Sequence, residues 1–136
     1  MISDDLARAL RDSGLRWDPA PGDQFRIEAE ALSEEVFTLS HMVIEPRTYD
    51  TGTVLNFNGT TEWALDNVAA DEALWLPRED QLRELLGTTF ETLRRTDSGF
   101  EVSARDTDGT SRTHAAAVVE DAYAHAVLAL VRQATH

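Results

Sequence analysis

Cysteine and lysine are both missing from this chain of 136 residues. Without cysteine there is no disulfide framework, no thiolate metal site and no thiol nucleophile, which fits a reducing compartment. Without lysine there is no Schiff-base chemistry and no ammonium group to reach a nucleotide phosphate. Glycine is never gathered into a phosphate-cradling loop; Gly59 and Gly87 stand alone. No serine sits in a Gly-x-Ser-x-Gly elbow. Met1-Ile2-Ser3-Asp4-Asp5 is not followed by the basic and then apolar stretch of a secretory leader. The longest apolar run, residues 126–131, is far too short to cross a bilayer. A cytoplasmic protein without membrane contact is the expectation.

Positive charge is scarce as well. Twenty-five acids face twelve arginines, for a net charge of −13. The acids are spread along the chain, 13 in residues 1–66 and 12 in residues 67–136. Such a surface repels nucleic acid and anionic lipid, which need clustered positive charge. The doublet Arg94-Arg95 is too small a patch to reverse this. Acids laid out in rows like phosphates would suggest a DNA mimic, and scattered acids with interspersed arginines would not.

The rest of the composition, 42% hydrophobic and 27% charged, is that of one globular domain covering residues 1–136. Helix punctuation is strong at the start. Ser3 can cap a helix over residues 2–13, Asp4 and Asp5 suit its positive end, and Gly14 with Leu15 can close it. Trp17 precedes a proline-rich turn. Residues 24–28 alternate around Phe25 and Ile27 as a strand, and residues 29–41 read either way. Residues 42–49 and 53–57 form a hairpin around Asp50-Thr51-Gly52. A helix is expected from Thr60 or Thr61 to about Val68. In Ala73-Leu74-Trp75-Leu76-Pro77, an apolar approach enters a third helix with Pro77 as its first residue and Trp75 packed beneath its first turn. That helix carries the stripe Leu82, Leu85 and Leu86, and Gly87 stops it. Strands over residues 89–94, 100–105 and 111–115 follow, with Asp97-Ser98-Gly99 turning the first pair. The closing helix spans residues 118–133, with Val119, Ala122, Tyr123, Ala126, Val127 and Leu130 facing inward. Short connections rich in hairpins point to an α+β fold, antiparallel sheet packed with helices, in which both halves run helix, strands, helix.

Two stretches also carry a likeness. Asn56-Phe57-Asn58-Gly59-Thr60-Thr61-Glu62-Trp63-Ala64-Leu65-Asp66, followed by Ala73-Leu74-Trp75-Leu76-Pro77-Arg78-Glu79-Asp80-Gln81-Leu82, resembles a family of small uncharacterised actinobacterial proteins. Residues 1–17 and Pro21-Gly22-Asp23 are similar to it too. Some members carry a pilus-assembly label, although nothing in the chain resembles the ATPase or receiver domains that such a label implies. The C-terminal half resembles phage-type α-β-β-β-α sandwich domains through Trp75-Leu76-Pro77, Gln81-Leu82, the strands of residues 89–115 and the helix of Tyr123. The likeness implies a fold for that half and no activity.

Candidate chemistry is thin. His41, His114, His125 and His136 include no pair three or four residues apart, so no helical metal site is expected. His41 and Glu45, if extended, stand about 13 Å apart, too far to share a metal. His114 and His125 come close only if their strand and helix pack together. The acidic doublets mostly start helices. No catalytic residue, cofactor or metal is therefore expected. Trp17, Trp63 and Trp75, with Asn56, Asn58 and Arg78 near them in sequence, are the best binding candidates, because large aromatics anchor interfaces; the ordinary role of tryptophan in a small domain is core area. The residues favour a non-catalytic domain acting through contacts with a protein partner and not with nucleic acid; oligomeric state is left open. A small-ligand binder or enzyme with a site assembled from distant residues, and an acidic phage-derived or anti-defence protein, stand as alternatives.

Overall fold

The computed structural model describes residues 1–28, 35–39, 44–49, 52–57, 67–69 and 73–134, with the three strands in 44–69 described by their backbone alone. The fold is α+β: these residues form three α-helices and three three-stranded sheets. They group into two compact units. The first joins Met1–Arg16 to Leu76–His136, and the second is Trp17–Trp75. The division is nested: residues from both ends of the sequence share one unit.

The first unit opens with α1, Asp4–Asp12. The Ser3 side chain accepts a hydrogen bond from the Leu6 N–H at 3.3 Å, and the two acids of the first turn complement the helix dipole. Gly14, at φ 105°, closes the helix: its N–H reaches the Arg11 carbonyl at 3.0 Å, and the Leu15 N–H reaches that of Leu10 at 3.1 Å. This doubly bonded ending requires the left-handed position that glycine takes without strain.

Helix α2, Glu79–Leu86, begins two residues later than the sequence suggests. Pro77 lies outside the helix and is buried, and Arg78 is the capping residue. The side chain that completes this start belongs to Gln81, whose Oε1 accepts the Arg78 N–H at 2.9 Å. Gly87 ends the helix as expected, followed by one short 3₁₀ turn, Gly87–Thr89.

Strands β7 (Phe90–Thr96), β8 (Gly99–Arg105) and β9 (Ser111–Ala116) then form an antiparallel sheet in that order. Leu93, Val102 and His114 share one row, and Thr92, Ser103 and Thr113 share a row on the other face. That second face is largely polar: Ser103 and Thr113 hydroxyls meet at 2.9 Å, and Arg94 pairs with Glu101 at 2.6 Å. At Gly99 a side chain would overlap the Ala116 carbonyl and come within 2.6 Å of the Ala117 Cα, so only glycine fits this tight hairpin end.

Helix α3, Val119–Ala134, packs on β8, β9, α1 and α2. Its buried residues are Ala122, Tyr123, Ala124, Ala126, Val127 and Leu128, while Val119 and Leu130 are half-buried. The buried arc is wider than the stripe drawn from sequence because α3 serves helices as well as the sheet. Asp121 also holds the start of α1, accepting the Ser3 N–H at 2.7 Å. Leu10, Leu82, Leu86, Val102 and Val127 complete the unit's core.

In the second unit, β1 (Gln24–Ile27) pairs antiparallel with β2 (Phe37–Thr38), and β6 (Ala73–Leu76) flanks β1 on the other side. Phe25 and Ile27 are buried, as their alternation requires. A second sheet has β3 (Ile44–Tyr49), β4 (Gly52–Phe57) and β5 (Asn67–Ala69) in order, all antiparallel. The hairpin of β3 and β4 agrees with the sequence reading. The helix expected up to Val68 does not hold at its end: Asn67–Ala69 is a strand, with Val68 opposite Leu55. β-Branched Val68 suits a ladder better than a helix end. The rest of that expected helix, residues 60–66, lies outside the described residues.

Candidate functional site

The turn that ends in Asp23 fixes Trp17. Pro19 and Pro21 stop any helix after Trp17, and the Asp23 N–H closes the turn on the Ala20 carbonyl at 3.1 Å. The Asp23 carboxylate is only 3% exposed. Its Oδ2 accepts the Trp17 indole N–H at 2.8 Å and the Ala20 N–H at 3.0 Å, which offsets the cost of burying a charge. Backbone bonds in both directions to Leu39, each 2.8 Å, tie the same turn to the strand β2 region.

Around this anchor Phe25, Phe37 and Trp75 gather with Trp17. Trp17 lies 5.5 Å from Phe25, and Phe25 lies 5.6 Å from Phe37, its register partner across β1 and β2. Trp17 also stacks on Trp75 at 6.5 Å with the rings only 8° from parallel. Phe25 is buried, whereas Trp17, Phe37 and Trp75 remain half-buried. The Trp75 Nε1 is shielded from solvent and has no hydrogen-bond partner among the described residues. The cluster offers aromatic faces and a fixed carboxylate. Among the described residues of the cluster there is no nucleophile and no acid–base pair; faces of this kind suit apolar and cation–π contacts.

The remaining candidates fall elsewhere. Arg78 starts α2 in the first unit, where its Nε meets Asp80 Oδ1 at 3.1 Å and holds that carboxyl below its ordinary range. Asn56 lies in β4, opposite Glu45 and Asn67. Trp63, Asn58 and His41 lie outside the described residues. The structure thus brings Trp17 and Trp75 together: Trp75 stacks on an indole from far along the chain. Sequence reasoning missed Asp23, Phe25 and Phe37 as members of the cluster. Asp23 follows Pro21-Gly22, and an acid at that place could have signalled a carboxylate turned back onto its own turn.

Two further titratable groups stand out in the first unit. His114 and His125 do approach each other, because β9 and α3 pack together. Burial holds the His114 pKa below its ordinary value, the neighbouring His125 and Arg112 add to this, and Asp106 opposes it. Asp106 itself is held low by a hydrogen bond from Gln133, then by its contact with Arg112. Tyr123 is 0% exposed and stacks on Phe90 at 5.8 Å. Burial raises its phenol pKa and Glu79 adds to the rise, while the Arg83 guanidinium, which lies 4.3 Å above Phe90, opposes it. Arg83 is felt electrostatically, yet among the described residues the Tyr123 hydroxyl has no hydrogen bond of ordinary geometry.

Among the described residues, no group of three or more histidines or acids could hold a metal ion, and no helix is long and apolar enough to cross a membrane. Their arginines are interspersed with acids in close pairs, as with Arg8 and Asp5 or Arg112 and Asp106. No protein-family model, curated protein or solved structure matches the chain.

Proposed function

We propose that the protein is a non-catalytic interaction module whose recognition surface is the aromatic cluster of Trp17, Phe37 and Trp75, and whose partner is a basic protein segment. The observation that carries this reading is the Trp17–Trp75 stack, held by a buried carboxylate yet left half-open to solvent. Two parallel indoles fixed in this way present a rigid aromatic face at little entropic cost on binding. A net charge of −13 attracts cationic partners, and arginine or lysine side chains bind over such rings. A cytoplasmic location and kinship with the small actinobacterial proteins belong to the same proposal.

An arginine-rich peptide, titrated against the full chain and its Trp17→Ala variant at low and high salt, tests the reading. Saturable quenching of tryptophan fluorescence is expected for the native chain, weaker at high salt and weaker again in the variant. Equal titration curves for both proteins, or no binding at low salt, would overturn it.

A further inference from the structure

Strand β7 stands at one end of its three-stranded sheet. Among the described residues it pairs with β8 only, and Glu91, Thr92, Leu93, Arg94 and Arg95 are all exposed along it. Leu93 shares a row with Val102, but Val102 is 0% exposed and Leu93 37% exposed. The cause is the placement of α3, which packs on β8 and β9 and reaches β7 at Phe90. An apolar side chain is therefore left at the open margin of an otherwise covered face.

The hydrogen-bonding phase of the hairpin says which backbone groups this margin presents. Only Asp97 and Ser98 separate Thr96 from its partner Gly99. A pair closing so short a loop exchanges hydrogen bonds, and bonded pairs then alternate along the ladder. Arg94 with Glu101 and Thr92 with Ser103 are the next bonded pairs, so the N–H and C=O of Leu93 and Arg95 point outward.

From this we propose that the protein forms a homodimer in which β7 pairs antiparallel with β7 of a second copy, about a two-fold axis at Leu93, joining two three-stranded sheets into one. In this register the two Leu93 residues face each other and exchange two hydrogen bonds. Thr92 faces Arg94, and Glu91 of each copy faces Arg95 of the other. Glu91 is free to do so because it sits at the irregularity between Phe90 and Thr92 and has no partner on β8. Opposite charges across strands favour a pairing and like charges oppose it. The neighbouring two-fold registers overlap less of the strand and lose this match: one centred on Thr92 sets Arg94 against Phe90, and one centred on Arg94 sets that arginine against its own copy. The other edge, β9, carries Arg112 and His114 without an acid, so it has no charge match with itself. Charges and a bulge on an edge normally keep strangers off; here they select one register of one partner. Two chains of −13 repel at long range, so the dimer belongs to conditions near 0.15 M salt, where charges beyond about 8 Å are screened.

Sedimentation velocity of the full chain over a concentration series in that salt is the test, with circular dichroism to establish folding. The native chain is expected to pass from monomer to dimer. Glu91→Arg and Arg95→Glu are each expected to weaken self-association about tenfold or more, the effect of some 1.4 kcal/mol. An equimolar mixture of the two variants restores both charge matches and with them the dimer. Leu93→Lys, which sets like charges on the axis and leaves the Glu91–Arg95 match alone, gives monomer by an independent route. A native chain that stays monomeric, variants that dimerise like the native chain, or a mixture that stays monomeric would overturn the proposal. The aromatic cluster takes no part in any of these outcomes.

Discussion

Two aromatic rings, Trp17 in one unit and Tyr123 in the other, treat their polar atoms in opposite ways. In the second unit Trp17 is half-open to solvent, and its indole N–H is nonetheless bound by Asp23. In the first unit Tyr123 is sealed from solvent, and among the described residues its hydroxyl makes no hydrogen bond of ordinary geometry, only an electrostatic contact with Arg83. Simple packing logic would reverse this, since a buried polar group suffers most from the loss of water. Trp17 is therefore held for its orientation, whereas Tyr123 is held for its volume. The difference points the search for recognition to the second unit and the search for stability to the first.

The sharpest way to break this contrast is Asp23→Ala. Removing the carboxylate leaves the indole N–H of Trp17 and the Ala20 N–H without their acceptor, at a cost of about 1–3 kcal/mol. All three tryptophans fall within residues 17–75, so tryptophan fluorescence during urea unfolding reports on that unit, and its midpoint should fall. An unchanged midpoint would remove Asp23 as the anchor of the stack. A smaller effect of opposite sign is expected from Tyr123→Phe. Deleting an unsatisfied hydroxyl while keeping the ring should stabilise the first unit by up to about 1 kcal/mol, read from far-ultraviolet circular dichroism in the same titration. A loss of stability would mean that the hydroxyl has a partner in solution. The smallest effect concerns His114. Its pKa is lowered in the folded protein, so below the ordinary value of 6.5 the unfolded chain binds more protons than the folded one. His114 thus contributes stability that is complete above pH 6.5 and is lost as pH falls through the lowered value. Urea midpoints should decline on acidification across this window, and His114→Asn should flatten the decline.

Local signals were legible in the sequence and distant pairings were not. Ser3, Gly14 and Leu15 bound α1 through contacts a few residues long, and the short turn at Asp97-Ser98 fixes the register of β7 and β8. Alternation around Phe25 and Ile27 marks β1 for the same reason. Pro77 misled by two residues because its ring fits the residue before the cap as well as the first helical position. The strand at Asn67–Ala69 depends on an available edge at β4, which no local pattern reveals. The candidate site was legible by half: two of its aromatics were named, but the stacking of Trp17 on Trp75 joins residues far apart in sequence. Asp23 stayed hidden in a chain so rich in acids that one carboxylate carries little information.

The nested arrangement of the units constrains how the protein is made. Helix α1 takes its cover from α3, and the bond between them links Ser3 to a residue 118 positions later. During synthesis the apolar side of α1 must wait, with Ala7 and Leu10 exposed, until translation delivers α3. The first unit therefore cannot close until the chain has been made through α3, nearly its whole length.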